Sequence, residues 1–274
     1  MKDDRYRFSD TTALGARVVA FMKACLFTKF GMVFMNIDRI VAVRRAGEDV
    51  VRVAEMDTLL SSIVSSVDSV LWIMTHIYFF IWLYRSAANA RAMGRTGFSQ
   101  SPCWSFINFL IPAWRLVMPF LFMRDVLRAS THVAADASAD PSAWRRDKLP
   151  DESGMKLLAW AGVFLVSALA GCAAAAALFF GMLALVKSGM APQEAVSMEM
   201  LPSWSLVAIS ASGAVASVAQ ALQAFFAGWY VGVVTAAQNT IRVDAVAAAP
   251  TAPEAVEPAA SEEGFGWPDE PVRG

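Results

Sequence analysis

The sequence predicts an all-α membrane protein: a four-helix transmembrane bundle with a cytoplasmic-side interfacial or re-entrant segment and a disordered C-terminal tail. Three observations predict it. Hydrophobic residues make up 57% of the 274 and charged residues 17%, where a soluble domain carries about 25% charged. The mean hydropathy is +0.46. The charge deficit is also concentrated, since Leu157 to Val186 and Leu206 to Ile241 hold no charged residue. A bilayer core needs roughly 20 apolar residues in a helix, because no water there satisfies backbone groups. Both runs exceed that length.

Residues 1–241 form the predicted membrane domain, with spans at about 20–43, 59–84, 157–186 and 203–235. The N-terminus mixes Asp3, Asp4, Arg5 and Arg7 and lacks the pattern of a removable signal peptide, so the first span is expected to act as its own insertion signal. That span is interrupted by Lys23, Lys29, Asp38 and Arg39. Lys23 and Arg39 can snorkel toward opposite interfaces. A lysine at the position of Lys29 cannot, and costs roughly 2.5–3.5 kcal/mol to insert. These charges share no single helical face, which favours a span over a surface helix.

In the second span Ser61, Ser65, Asp68 and Thr75 fall on one helical face, with Ser62, Ser66, Ser69 and His76 beside it. Polar groups facing lipid are costly, so this side is expected to face other helices. Trp82 and Tyr84 suit the interface. The stretch from Cys103 to Ala113 is apolar, interrupted by Pro112 and too short to cross, and reads as interfacial or re-entrant. Pro119 then opens an amphipathic helix to about Ser130. Its apolar side is Phe120, Leu121, Val126 and Leu127, and its charged side is Arg124, Asp125 and Arg128. The interfacial segment thus covers about 101–130, and a polar linker follows to Asp151.

In the third span Ser167, Gly171 and Ala175 form a small-residue ridge suited to close helix approach. In the fourth, Gly213, Ser217, Gln220 and Ala224 share a face, with Gln220 near mid-depth and expected to hydrogen-bond within the bundle. Residues 242–274 are rich in Ala, Pro and acids, seven acids against two arginines, and are expected to be a disordered, solvated tail. Arg85 to Lys156 carries ten Lys or Arg. The positive-inside rule places that segment, and with four spans both termini, in the cytoplasm.

Candidate chemistry falls in two places. Arg85, Asn89, Trp104, Arg115, Arg124 and Arg128 lie in the basic segment, where arginines interleaved with aromatics and prolines suit anionic headgroups or phosphates. The plainer explanation is positive-inside charge with aromatic anchors. Prolines at 112 and 119, however, bracket Arg115 and fix the backbone there. The second place is intramembrane: Lys29, Asp68, His76 and Gln220. An acid inside a span is a candidate proton or cation site, and the alternative is an ion pair between Asp68 and Lys29, which lie within roughly 10 Å in depth. His76 reads as a packing histidine. The other histidine, His132, lies at the wrong depth to join it around a haem. The three cysteines are far apart, without C-x-x-C, so neither metal nor other cofactor is expected.

The stretch from Trp82 to Ser130 resembles a bacterial membrane family known as domain of unknown function 4328. Trp82, Arg85, Asn89 and Gly94, then Pro102 and Trp104, Pro112 and Pro119, and Met123, Arg124 and Ser130 fit its pattern. Leu127 stands where that pattern has tryptophan. The resemblance implies a bacterial multi-pass membrane protein and no established activity. Three functional classes follow from the residues. The one asking least is a non-catalytic structural or regulatory protein, in the bacterial inner membrane, meeting anionic lipids and protein partners through its basic segment or acidic tail, and no nucleic acid. The others are a small transporter or channel using Asp68 and the polar face of span two, and a membrane enzyme or headgroup binder at Arg85, Arg115 and Arg124. No nucleophile or phosphate-loop motif supports the enzyme.

Overall fold

The computed structural model describes residues 8–46, 50–110, 117–132, 142–146, 149, 151–188 and 201–247. Every regular element among them is helical: α1 (Thr12–Ala46), α2 (Val50–Ala92), α3 (Trp104–Leu110), α4 (Met118–Thr131), a 3-10 turn at Ala143–Arg145, α5 (Asp151–Lys187) and α6 (Ser203–Ala247). Four of these are long and apolar enough to cross a membrane, over Thr12–Arg45, Ser61–Ala92, Asp151–Lys187 and Ser203–Ile241. Only 11% of the most apolar window of α5 is buried inside the protein. Leu158, Leu169 and Phe179 lie on its open surface, as side chains facing lipid do. The chain is an all-α, multi-pass membrane protein.

The helices run past their predicted ends. At 1.5 Å per residue, the 43 residues of α2 extend about 65 Å, twice the roughly 30 Å of a hydrocarbon core. α6 continues to Ala247, six residues into the stretch read as tail; residues 248–274 lie outside the described residues. α2 closes on Gly94, whose φ of +83° is cheap only for a residue without Cβ. There the Arg95 backbone N–H donates to the Ala90 carbonyl at 3.2 Å.

α1 and α6 form the middle of the bundle. α2 packs on α1, and α5 packs on α6. α2 and α5 do not pack backbone to backbone, and a gap bridged only by side chains opens between them. The α5–α6 contact uses Ala170, Ala177, Gly181 and Leu185 as the buried side of α5. A Cβ on Gly181 would lie 2.8 Å from Ser205 Oγ. The ridge expected from sequence is displaced: Gly171 and Ala175 are exposed, and a Cβ on Gly171 would meet nothing. In an alanine-rich helix several small-residue rows exist, and the choice among them belongs to the partner helix.

α4 begins with Pro in its first turn, where a missing N–H costs nothing. Phe122, Met123, Val126 and Leu127 are its buried apolar side chains, whereas Leu121 is exposed. Its inward face is thus rotated from the expected one. α4 touches α2, α3, α5, α6 and the 3-10 turn, so it closes one end of the bundle as a cap. In the linker, Trp144 is buried. Its ring lies 4.7 Å from that of Phe98, and its indole N–H donates to the Thr96 carbonyl at 2.8 Å.

Candidate functional site

The basic end is held by a knot of polar side chains from four parts of the chain. Asn89 of α2 is fully buried. Its amide donates to the Ser9 carbonyl at 2.8 Å and to Gln238 Oε1 at 3.2 Å, and its oxygen accepts the Ser9 N–H at 2.9 Å. Gln238 of α6 donates to the Ser86 carbonyl and to Ser130 Oγ, each at 2.9 Å. One turn away, Trp82 donates its indole N–H to Thr235 Oγ1 at 3.1 Å. Tyr230 donates to the Met123 carbonyl at 2.9 Å. Both rings are completely buried.

This geometry corrects two expectations. Trp82 is core rather than a lipid-facing anchor, whereas Tyr84 is 42% exposed. Asn89 does not belong with the arginines as a ligand contact, because its amide has no donor left. Sequence reading missed Gln238 and Tyr230. The signal available was a run of polar residues, Thr235, Gln238 and Asn239, continuing the helical period of an otherwise apolar helix.

The arginines form the rim. Arg85 is exposed. Arg124 and Arg128 sit one turn apart on α4, half-buried, and the Nε of each is buried without a hydrogen-bond partner among the described residues. Arg124 lies 3.5 Å from Asp125, which also accepts from Ser99 Oγ at 3.1 Å. Trp104 opens α3 and is half-buried. Arg115 and Pro112 lie outside the described residues.

The second constellation is intramembrane. Trp160 of α5 packs on Phe79 of α2 with ring centroids 6.2 Å apart and on Tyr230 of α6 at 5.9 Å, so the three helices share a level there. Counting eleven residues from Phe79 to Asp68, and from Trp160 to Gly171, raises the level by about 16 Å. Gly171 is near the middle of the uncharged run of α5. Asp68 thus sits at mid-membrane depth, and there Lys29 Nζ meets Asp68 Oδ2 at 2.5 Å while Thr28 donates to Oδ1 at 2.7 Å. Both charged side chains are over nine-tenths buried. The pair answers the cost of a mid-membrane lysine, since each charge neutralises the other away from water.

Below that pair, in the gap between α2 and α5, lies a groove of about 240 Å³. Its walls are mainly apolar, with rings from Trp72, Phe79 and Phe80 of α2, Phe120 of α4, and Trp160 and Phe164 of α5. Met123 and Phe106 close it toward the basic end. Its polar lining is Lys29, Thr75, His76, Gln220 and Gln223. The His76 ring lies 3.9 Å from that of Trp72 and its Nδ1 is 2.8 Å from the Trp72 carbonyl. Thr75 Oγ1 lies 3.1 Å from Cys25 Sγ. The amides of Gln220 and Gln223 have no hydrogen-bond partner among the described residues, so the bond expected for Gln220 inside the bundle does not form there. On the other side of the ion pair, α1 and α2 enclose a polar pocket of about 410 Å³ lined by Asn36, Arg39, Ser61 and Ser65 among others. The structure thus brings Lys29, Asp68, His76 and Gln220 to one region, and leaves the basic rim as a separate one.

No curated protein and no solved structure matches the chain. The domain of unknown function 4328 matches residues 47–250, which takes in α2 through α6, and so all of the knot except Ser9 and all of the groove except its α1 lining, Met22, Cys25 and Lys29. The chain belongs to that family.

Proposed function

We propose that this is a non-catalytic, regulatory protein of the bacterial cytoplasmic membrane, in which α4 links the intramembrane groove to a basic cytoplasmic surface. One observation carries the reading: a single helix serves both regions. Phe120 and Met123 of α4 wall the groove, while Arg124 and Arg128, one turn on, form the rim. A guest in the groove therefore touches the same helix that presents the guanidinium groups. The excess of Lys and Arg between α2 and α5 supports a cytoplasmic position for this end and for both termini. There the rim meets anionic headgroups, and the acidic tail supplies a surface for protein partners.

The rim is tested by native mass spectrometry of the purified protein in phosphatidylglycerol-containing nanodiscs. Wild type is expected to retain anionic lipid, and the Arg124→Ala, Arg128→Ala double variant to lose it. Equal retention overturns headgroup recognition.

A small transporter is the second reading, favoured by the placement of the Lys29–Asp68 pair between a polar pocket and the groove. Cys25, one turn from Lys29, is a native reporter. With Cys103 and Cys172 replaced by Ser, a charged thiol reagent added outside leaves Cys25 unmodified in a regulatory protein and modifies it in a transporter whose pair opens.

A further inference from the structure

Two half-buried primary amides line the groove with no hydrogen-bond partner among the described residues. Gln220 is ten residues from Tyr230 along α6, about 15 Å toward the membrane centre, and Gln223 is one turn nearer the basic end. An amide carried into an apolar medium without a hydrogen bond costs several kcal/mol, so these two groups call for an occupant with matching polarity. The walls narrow the choice. Water needs two to four polar partners each, so it can serve the polar side of this lining but leaves the aromatic walls uncovered. An acyl chain would leave both amides unpaired. A phospholipid headgroup resides at the interface, whereas these amides lie deeper.

We propose that the groove binds the head of a lipophilic quinone: a flat ring with carbonyl oxygens, carried on an apolar tail. The size fits, because a cavity of 150 Å³ already accepts benzene and this one is about 240 Å³. The entry fits, because the opening between α2 and α5 is lateral, with Trp72 and Phe106 partly exposed at its edge. The tail then stays in the bilayer. The walls fit, because Phe79, Phe120 and Trp160 offer ring faces and edges against which a flat ring stacks. The donors fit, because Gln220 and Gln223 each present an NH₂ to a carbonyl acceptor, and Lys29, with one bond to Asp68, retains further N–H groups.

This assignment rests on the reading of the groove as a binding site, and two probes separate the failures. The wild-type protein in nanodiscs is titrated with decylubiquinone and, in parallel, with decylbenzene, which keeps a ring and tail without carbonyls. Binding is read from the shift of the thermal midpoint with probe concentration. Decylubiquinone is expected to raise the midpoint clearly more than decylbenzene at equal concentration. In Gln220→Leu and Gln223→Leu the probe-free midpoint is expected to hold or rise, because an unpaired amide is removed. Quinone affinity is expected to fall about tenfold for each lost hydrogen bond. Equal response to both probes overturns the quinone assignment while leaving an apolar guest and the regulatory reading in place. No response to either overturns both the guest and the coupling through α4. Undiminished quinone affinity in both leucine variants overturns the assigned donors and with them the proposal.

Discussion

The basic-end knot and the mid-membrane groove both hold primary amides, and they treat them oppositely. Asn89 and Gln238 are completely enclosed, and both amide N–H groups of each are used. Gln220 and Gln223 line open space with no partner among the described residues. A satisfied amide in low dielectric strengthens a unique packing, whereas an unsatisfied one is a standing cost. The difference teaches where to look for structure and where for function. Most of the family-pattern residues around Trp82 to Ser130 turn out to be the scaffold, and the groove that has no motif of its own is the place left for a guest.

Substitutions sharpen that contrast. The largest effect is expected at the ion pair that bounds the groove. Asp68→Asn leaves a mid-membrane ammonium without its counter-charge and lowers stability by about 4 kcal/mol. Combining it with Lys29→Met recovers most of that loss, as read from thermal unfolding in detergent. Failure of the double variant to recover breaks the account of Lys29 as tolerated through pairing.

Next comes the knot. Gln238→Leu leaves one Asn89 amide N–H and Ser130 Oγ without their partner and removes the bond to the Ser86 carbonyl, and about 3 kcal/mol is expected to be lost. Hydrogen exchange should then rise at Ser9 and in α4, both tied to Gln238 directly or through one residue. A smaller effect, about 1 kcal/mol, is expected for Trp144→Phe, which keeps the packing on Phe98 and deletes only the bond to Thr96. The same unfolding assay reads it. Smallest is Gln220→Leu, with no loss of stability. A loss like that of Gln238→Leu would show that the groove amides are scaffold too, and the comparison would collapse.

Much of the architecture was legible beforehand. Charge-free runs announced α5 and α6. The rise per residue brought Lys29 and Asp68 to similar depth, and Pro119 marked the start of α4. The misreadings share a physical cause. Trp82 looked interfacial because aromatic side chains favour that depth, yet α6 packs over it and removes it from lipid. Leu121 and Phe122 were equally apolar, and only the position of α6 decides which turns inward. Trp144 sat in a polar linker with no periodicity, so its docking onto Phe98 had no local signature.

By itself, then, the sequence determined that this protein lives in a membrane, which segments cross it and which end is basic, because insertion depends on local hydropathy and charge. Only the tertiary structure decided which small-residue row on α5 meets α6, that Asn89 and Gln238 meet across 149 residues, and that α2 and α5 stay apart. Inside a bilayer, lipid is as apolar as leucine, so helix pairing is settled by shape and by polar groups finding partners. Those matches are made between distant segments, and the groove with its two unmatched amides is what the pairing leaves open.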